Sequence, residues 1–291
     1  MKVSGFTFIR NAITYDYPVE EAIKSILPIC DEFIVAVGNS SDDTHSKIEQ
    51  IAPDKIKIID TIWDDSLREG GRVLAVETDK AFAAISEDTD WCFYIQGDEV
   101  VHEKYLDTIY QAMQKTKDRK DIDGLLFKYL HFYGSYDFVG ASSKWYKHEI
   151  RVIKNNPKIY SYRDAQGFRK NEDEKLNVIP IDAYIYHYGW VKDPRKMQKK
   201  QETFHKYWHD DRWIDQNVVK SSAFDYEMHV KELKRFEGSH PRVMLDRINQ
   251  KNWQFDYDIS INQKSLKDRI KNLMSRFFGV ELGYKNYILK R

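Results

Sequence analysis

An α/β fold built on a mixed, mainly parallel sheet flanked by helices is predicted by three features of the sequence. Short apolar runs alternate with amphipathic ones at close spacing from residue 3 to residue 117. The apolar runs have no polar face, as strands covered by helices on both sides require. The carboxyl ends of these runs carry polar and acidic clusters, and in such sheets ligands bind beyond the carboxyl ends.

The elements follow in order. VSGFTFI (3–9) reads as the first strand, and PVEEAIKSILPIC (18–30) has helical apolar spacing. DEFIVAVGNSSDDT (31–44) is an apolar strand that runs into a polar turn. THSKIEQIA (44–52) is a helix with Thr44 at its cap. KIKIIDTIW (55–63) is the third strand and GGRVLAVETDKAFAAIS (70–86) the next helix. DWCFYI (90–95) is the fourth strand, and HEKYLDTIYQAMQKTK (102–117) returns to helix. The pattern then changes: residues 124–191 read as longer, partly antiparallel strands, and 193–214 as a polar helix. The implied division is 1–120 and 121–215 as two halves of one domain, with a helical extension over 216–291.

Composition narrows the function classes. Lys+Arg and Asp+Glu both number 46, so no basic excess points to nucleic acid. Aromatic residues make up 14% of the chain, which favours ring-lined clefts. Cys30 and Cys92 stand alone in apolar surroundings and match no zinc spacing; two packed thiols in a reducing compartment are expected. The first residues show no apolar leader, and no apolar run reaches membrane-spanning length, so a cytoplasmic protein is expected.

Four strand ends converge on one rim. They supply Arg10 and Asn11, then Gly38 to Asp43, then Asp64 and Asp65, then Gln96 to Glu99. In order and spacing, TFIRN (7–11), VGNSSDDT (37–44), QGDE (96–99) and IYHYGW (185–190) resemble the motifs of GT-A (Rossmann-like) glycosyltransferases, particularly bacterial members of glycosyltransferase family 2. The resemblance spans roughly residues 3–200. It implies an inverting, metal-assisted transfer of a sugar from a nucleoside-diphosphate donor, by default a UDP-sugar, to a glycan or lipid-linked acceptor of the cell envelope.

QGDE stands where that family carries its D-x-D element. Carboxylates are natural ligands for Mn²⁺ or Mg²⁺, and such an ion stabilises the departing diphosphate. Asp98, Glu99 and His187 are therefore the expected metal ligands. Gln96 departs from the family's usual acid, and Gly97 lets a phosphate approach the backbone. Arg10, Asn11, Asn39, Asp42, Asp65, Arg72, Gln96 and Gly97 are the expected donor contacts. Asp42 has helix capping as its plainer role, and the acid that reads base or ribose in the family aligns with Val37 here. Lys196, Lys199 and Lys200 are weaker candidates for the diphosphate. Asp164, in YRDAQGFRKNEDE (162–174), is the expected general base, with Glu172 and Asp173 as alternatives. Arg151 resembles a recurrent basic position whose plainer role is an ion pair.

Two other readings share these features. A sugar-phosphate nucleotidyltransferase would need a Gly-rich basic loop after strand one, and RNAITYDYP has none. A non-catalytic nucleotide-sugar-binding protein with a decayed metal site would explain Gln96 and Val37. The basic tail places Leu266, Ile270, Leu273, Met274 and Phe277 at helical spacing. That stripe suits a helix packed on the body or one lying on an anionic membrane surface.

Overall fold

A computed structural model of the 291-residue chain describes residues 1–218, 220–262 and 285–291. The basic stripe at 266–277 lies outside the described residues.

The first half is a parallel sheet. Strands β1 (Val3–Ile9), β2 (Glu32–Gly38), β3 (Ile56–Thr61) and β4 (Trp91–Tyr94) lie in the order β3-β2-β1-β4, each pair parallel. Helices α1 (Val19–Ile26), α2 (Thr44–Glu49), α3 (Arg72–Ala83) and, after a short β5 (Glu99–Val101), α4 (Leu106–Thr116) connect and cover it. β2 shows why both faces are apolar: Phe33, Val35 and Val37 enter one core with Ile23, Ile26, Ile109 and Met113. Its alternate residues Ile34 and Ala36 enter the other, with Val73, Leu74 and Phe82 of α3. Each large side chain so buried contributes about 1.5–3 kcal/mol. β3 is the edge strand and keeps only intermediate burial.

The second half is mixed. β6 (Gly124–Tyr133), β7 (Ser135–Gly140), β8 (His148–Lys154), β9 (Ile159–Tyr162), β10 (Gly167–Lys170) and the 17-residue β11 (Glu174–Trp190) extend the same sheet through antiparallel β4–β8 and β8–β6 pairs and a parallel β6–β11 pair. The polar helix expected at 193–214 is two helices, α5 (Pro194–Phe204) and α6 (Asp211–Asn217), separated by a 3-10 turn at His205–Tyr207. Within 216–291 the described residues add β12 (Leu233–Arg235) against β7, a short α7 (Leu245–Asn249) and β13 (Tyr287–Leu289) against β11. Among the described residues no helix is long and apolar enough to cross a membrane.

Candidate active site

The site corner comes from one strand pairing. After β4, residues 95–98 turn, and β5 pairs antiparallel with β11 so that Glu99 lies opposite His187. The Tyr188 amide donates to the Asp98 carbonyl at 2.8 Å, which locks the register. Asp98 and His187 are thereby brought side by side, with Asp98 Oδ1 3.8 Å from His187 Nε2. They border a cavity of about 560 Å³ whose lining includes Arg10, Trp63, Gln96, Asp164, Lys200 and Trp208.

A chain of contacts sets the proton on His187. His131 Nε2 lies 2.8 Å from the Tyr146 carbonyl, which only accepts, so that nitrogen carries hydrogen. Burial holds the His131 imidazole down at about 3, so it is neutral and its Nδ1 is an acceptor. His187 Nδ1 lies 3.4 Å away and donates to it. Burial also lowers the His187 pKa, so this ring too is neutral and its Nε2 presents a lone pair towards Asp98. Two acceptors thus face one another across 3.8 Å. A cation or a proton donor satisfies both.

Lys200, on α5, donates to Asp98 Oδ2 at 3.3 Å and to the Gly189 carbonyl at 3.1 Å. Burial pushes the Asp98 carboxyl up, but the charge of Lys200 overrides it and holds the group at about 2. Gly189 leaves the room this requires: a Cβ there would stand 2.6 Å from Asp98 Oδ2 and 2.8 Å from His187 Nε2. Asp98 and His187 would supply one carboxylate and one imidazole to a Mn²⁺ or Mg²⁺ ion, donor types that such ions accept. Among the described residues no cluster of three or more His, Cys, Asp or Glu side chains has metal-binding spacing.

Glu99, expected as a ligand, does not face the cavity. Its carboxylate is fully buried and accepts from Arg151 Nη2 at 2.7 Å, Arg151 Nε at 2.8 Å, Tyr129 Oη at 2.8 Å and the Gln96 amide at 3.1 Å. Both oxygens are saturated by groups of the chain, and an ion would have to displace Arg151. The guanidinium also sits over the Tyr94 and Tyr129 rings, at 5.2 and 5.3 Å.

The expected donor contacts divide. Arg10 pairs with Asp65 at 2.7 Å and lies 5.5 Å over the Trp63 ring. Both residues, with Asn11, line a second cavity of about 370 Å³ that adjoins the first through Arg10, Tyr15, Thr203 and Tyr207. The Asn11 side chain accepts from the Ser41 amide at 2.7 Å, so it also ties β1 to the turn after β2. Asn39 accepts from the Trp63 amide, and Asp42 accepts from the Thr14 and Thr44 amides. Those two are struts between strand ends and line neither cavity. Arg72, which follows the left-handed Gly70 and Gly71, is exposed and lines neither.

Asp164 lines the main cavity. Gly71 packs against it so closely that a Cβ would stand 2.6 Å from the Asp164 Cβ. Burial raises the carboxyl above its ordinary value, against hydrogen bonds from backbone amides. Gln96 and Gly97 also line the cavity, and Gln96 Nε2 donates to the Tyr94 hydroxyl at 3.3 Å and the Ala165 carbonyl at 3.1 Å. Sequence reasoning passed over His131, Trp63, Trp208 and Gly189. The GW that follows IYHY was the available signal for the last of these.

No protein-family model matches the chain, and no curated protein matches it. Among solved structures, S. aureus TarS 1–349 in complex with UDP is 11% identical, with a TM-score of 0.40 over 76% of this chain and 68% of that one. Glucosyl-3-phosphoglycerate synthase from Mycobacterium tuberculosis, in complex with Mn²⁺, UDP and phosphoglyceric acid, is 20% identical, with a TM-score of 0.30 over 45% and 43%. The 4-diphosphocytidyl-2C-methyl-D-erythritolsynthase from Anaerococcus prevotii is 10% identical, with a TM-score of 0.33 over 53% and 70%. Likeness this remote assigns the chain to no family.

Proposed function

We propose that the protein is an inverting glycosyltransferase that moves a sugar from a nucleoside-diphosphate donor, a UDP-sugar by default, to a hydroxyl of a glycan or lipid-linked acceptor. The supporting observation is the corner itself: Asp98 Oδ1 faces the lone pair of His187 Nε2 at the carboxyl rim of a parallel sheet, with a half-buried acid, Asp164, lining the same cavity. Held between Asp98 and His187, a Mn²⁺ or Mg²⁺ ion would supply positive charge to the departing diphosphate.

The chain's own groups then take these roles. Lys200, anchored on Asp98 and Gly189, sets a fixed ammonium beside the phosphates. Tyr207, half-buried with its ring 5.6 Å from that of Trp63, lines both cavities with Arg10 and gives the nucleobase an aromatic wall. Tyr146, Trp190 and Trp208 line the same cavity and give a sugar ring apolar walls. Asp164 accepts the proton of the acceptor hydroxyl as its oxygen bonds to the anomeric carbon and the bond to the diphosphate breaks. Attack opposite the leaving group inverts the anomeric centre.

Titration calorimetry with UDP and GDP, with and without Mn²⁺, combined with a nucleotide-release screen across UDP-, GDP- and CMP-sugars, tests this. Metal-dependent binding of one nucleotide and release from its sugar, both lost in Asp98→Ala, are expected. Absence of binding and release with every nucleotide overturns the reading. Pyrophosphate release from a nucleoside triphosphate and a sugar phosphate would replace it with nucleotidyl transfer.

A further inference from the structure

We propose that Gln96 and Arg151 are positioning residues that fix the turn carrying Asp164 against the Asp98 corner. The inference rests on the role given to Asp164 above. The turn joins β9 to β10, and two of its non-glycine residues, Arg163 and Ala165, hold left-handed φ of 56° and 61°. Each such residue costs of order 1–3 kcal/mol, and it persists only where the surroundings over-determine it.

Here the surroundings are explicit. Gln96 Nε2 donates to the Ala165 carbonyl at 3.1 Å, and Arg151 Nη1 donates to the Gln166 carbonyl at 2.9 Å. Arg151 is itself clamped by both Glu99 oxygens, and Glu99 accepts from the Gln96 amide. The contacts close a ring through Gln96, Glu99, Arg151, Gln166 and Ala165. Asp164 directly precedes the two anchored residues, and Ala165 is fully buried in the core shared with Phe6, Tyr94 and Phe168. On the outer side, Gln166 Nε2 donates to Glu149 Oε1 at 2.9 Å.

The ring also accounts for an amide where the resembling family carries an acid. A carboxylate at position 96 has no hydrogen to give Ala165 and would turn a lone pair onto its carbonyl. Gln96 thus links the donor corner to the base. Its half-buried position lets it be replaced without emptying the core.

Gln96→Glu and Gln96→Leu test the proposal in the full-length chain with the donor that the wild type turns over. The expected result is a fall in kcat of about 10²-fold, the scale of an ångström-sized misplacement of a catalytic group. Donor KM and Mn²⁺ binding by electron paramagnetic resonance stay at wild-type values. Amide exchange quickens in residues 163–166 of the variants. Wild-type kcat in both variants overturns the proposal. Donor KM or Mn²⁺ affinity that worsens in step with kcat also overturns it, because Gln96 would then act on the donor directly. A wild-type protein that turns over no nucleotide sugar removes the functional reading as well, an outcome distinct from either.

Discussion

Glu99→Gln separates structure from ligation at the one acid whose role the fold decides. In the wild type the carboxylate meets a fully buried guanidinium through two bonds, of 2.7 and 2.8 Å, and both side chains are sealed from water. The amide keeps the shape and one acceptor oxygen. It removes the charge, and it sets an N–H₂ against the guanidinium or the Gln96 amide. Breaking a buried pair on one side costs about 3–5 kcal/mol because the remaining charge is left uncompensated. The retained oxygen places this variant near 3 kcal/mol. At about 2–4 °C per kcal/mol for a chain of this size class, the midpoint should fall by roughly 6–12 °C. Thermal unfolding followed by circular dichroism reads that loss, and Mn²⁺ titration on the same sample reads the metal. The expected outcome is a large loss of stability with Mn²⁺ affinity unchanged. Unaltered stability with lost Mn²⁺ binding would refute the reasoning and return Glu99 to the ligand set.

Four further outcomes follow from the same geometry. His131→Phe removes the acceptor that fixes the His187 tautomer, so Mn²⁺ affinity should fall about 10–100-fold by titration with the fold intact. Gly189→Ala puts a Cβ 2.6 Å from Asp98 Oδ2 and should abolish Mn²⁺ binding; a bound ion in that variant would place the metal elsewhere. Asp164→Asn should lower kcat by about 10²–10⁴-fold. The acid limb of the wild-type pH profile should lie above the ordinary carboxylate range, because burial raises this group. Burial also pushes Glu149 up to about 8, so the folded chain holds a proton there that the unfolded chain loses near 4.5. Stability from this group is full below about 4.5 and declines as pH rises towards 8, by about 3 kcal/mol at pH 7. Denaturant titrations of Glu149→Gln should show that decline removed.

The parallel half was legible because its signals are local. Phe33 to Val37 alternate between two cores, and a strand apolar on both faces writes that into consecutive residues. β5 was not legible: three residues carry no period, and their strand character comes from β11 alongside. At the site, motif order put forward Asp98 and His187, which the fold sets side by side. The fate of Glu99 could not, since its partner lies 52 residues away and an acidic pair looks the same whether it faces an ion or a guanidinium. The outward placement of Arg72 was hidden for a related reason. A Gly pair before a helix announces a turn, but the direction of the next side chain depends on the left-handed φ of both glycines.

The pairing of β5 with β11 also makes the corner a reporter of folding. Asp98 follows β4, whereas His187 lies on the long strand that also pairs with β6, β10 and β13. The corner exists only once the entropy of closing the chain between Glu99 and His187 has been met. A chain interrupted before β11 would hold Asp98 without its imidazole partner. Manganese capture during refolding would therefore work as a clock for the docking of β11, and an ion bound to the finished corner would slow that strand's departure.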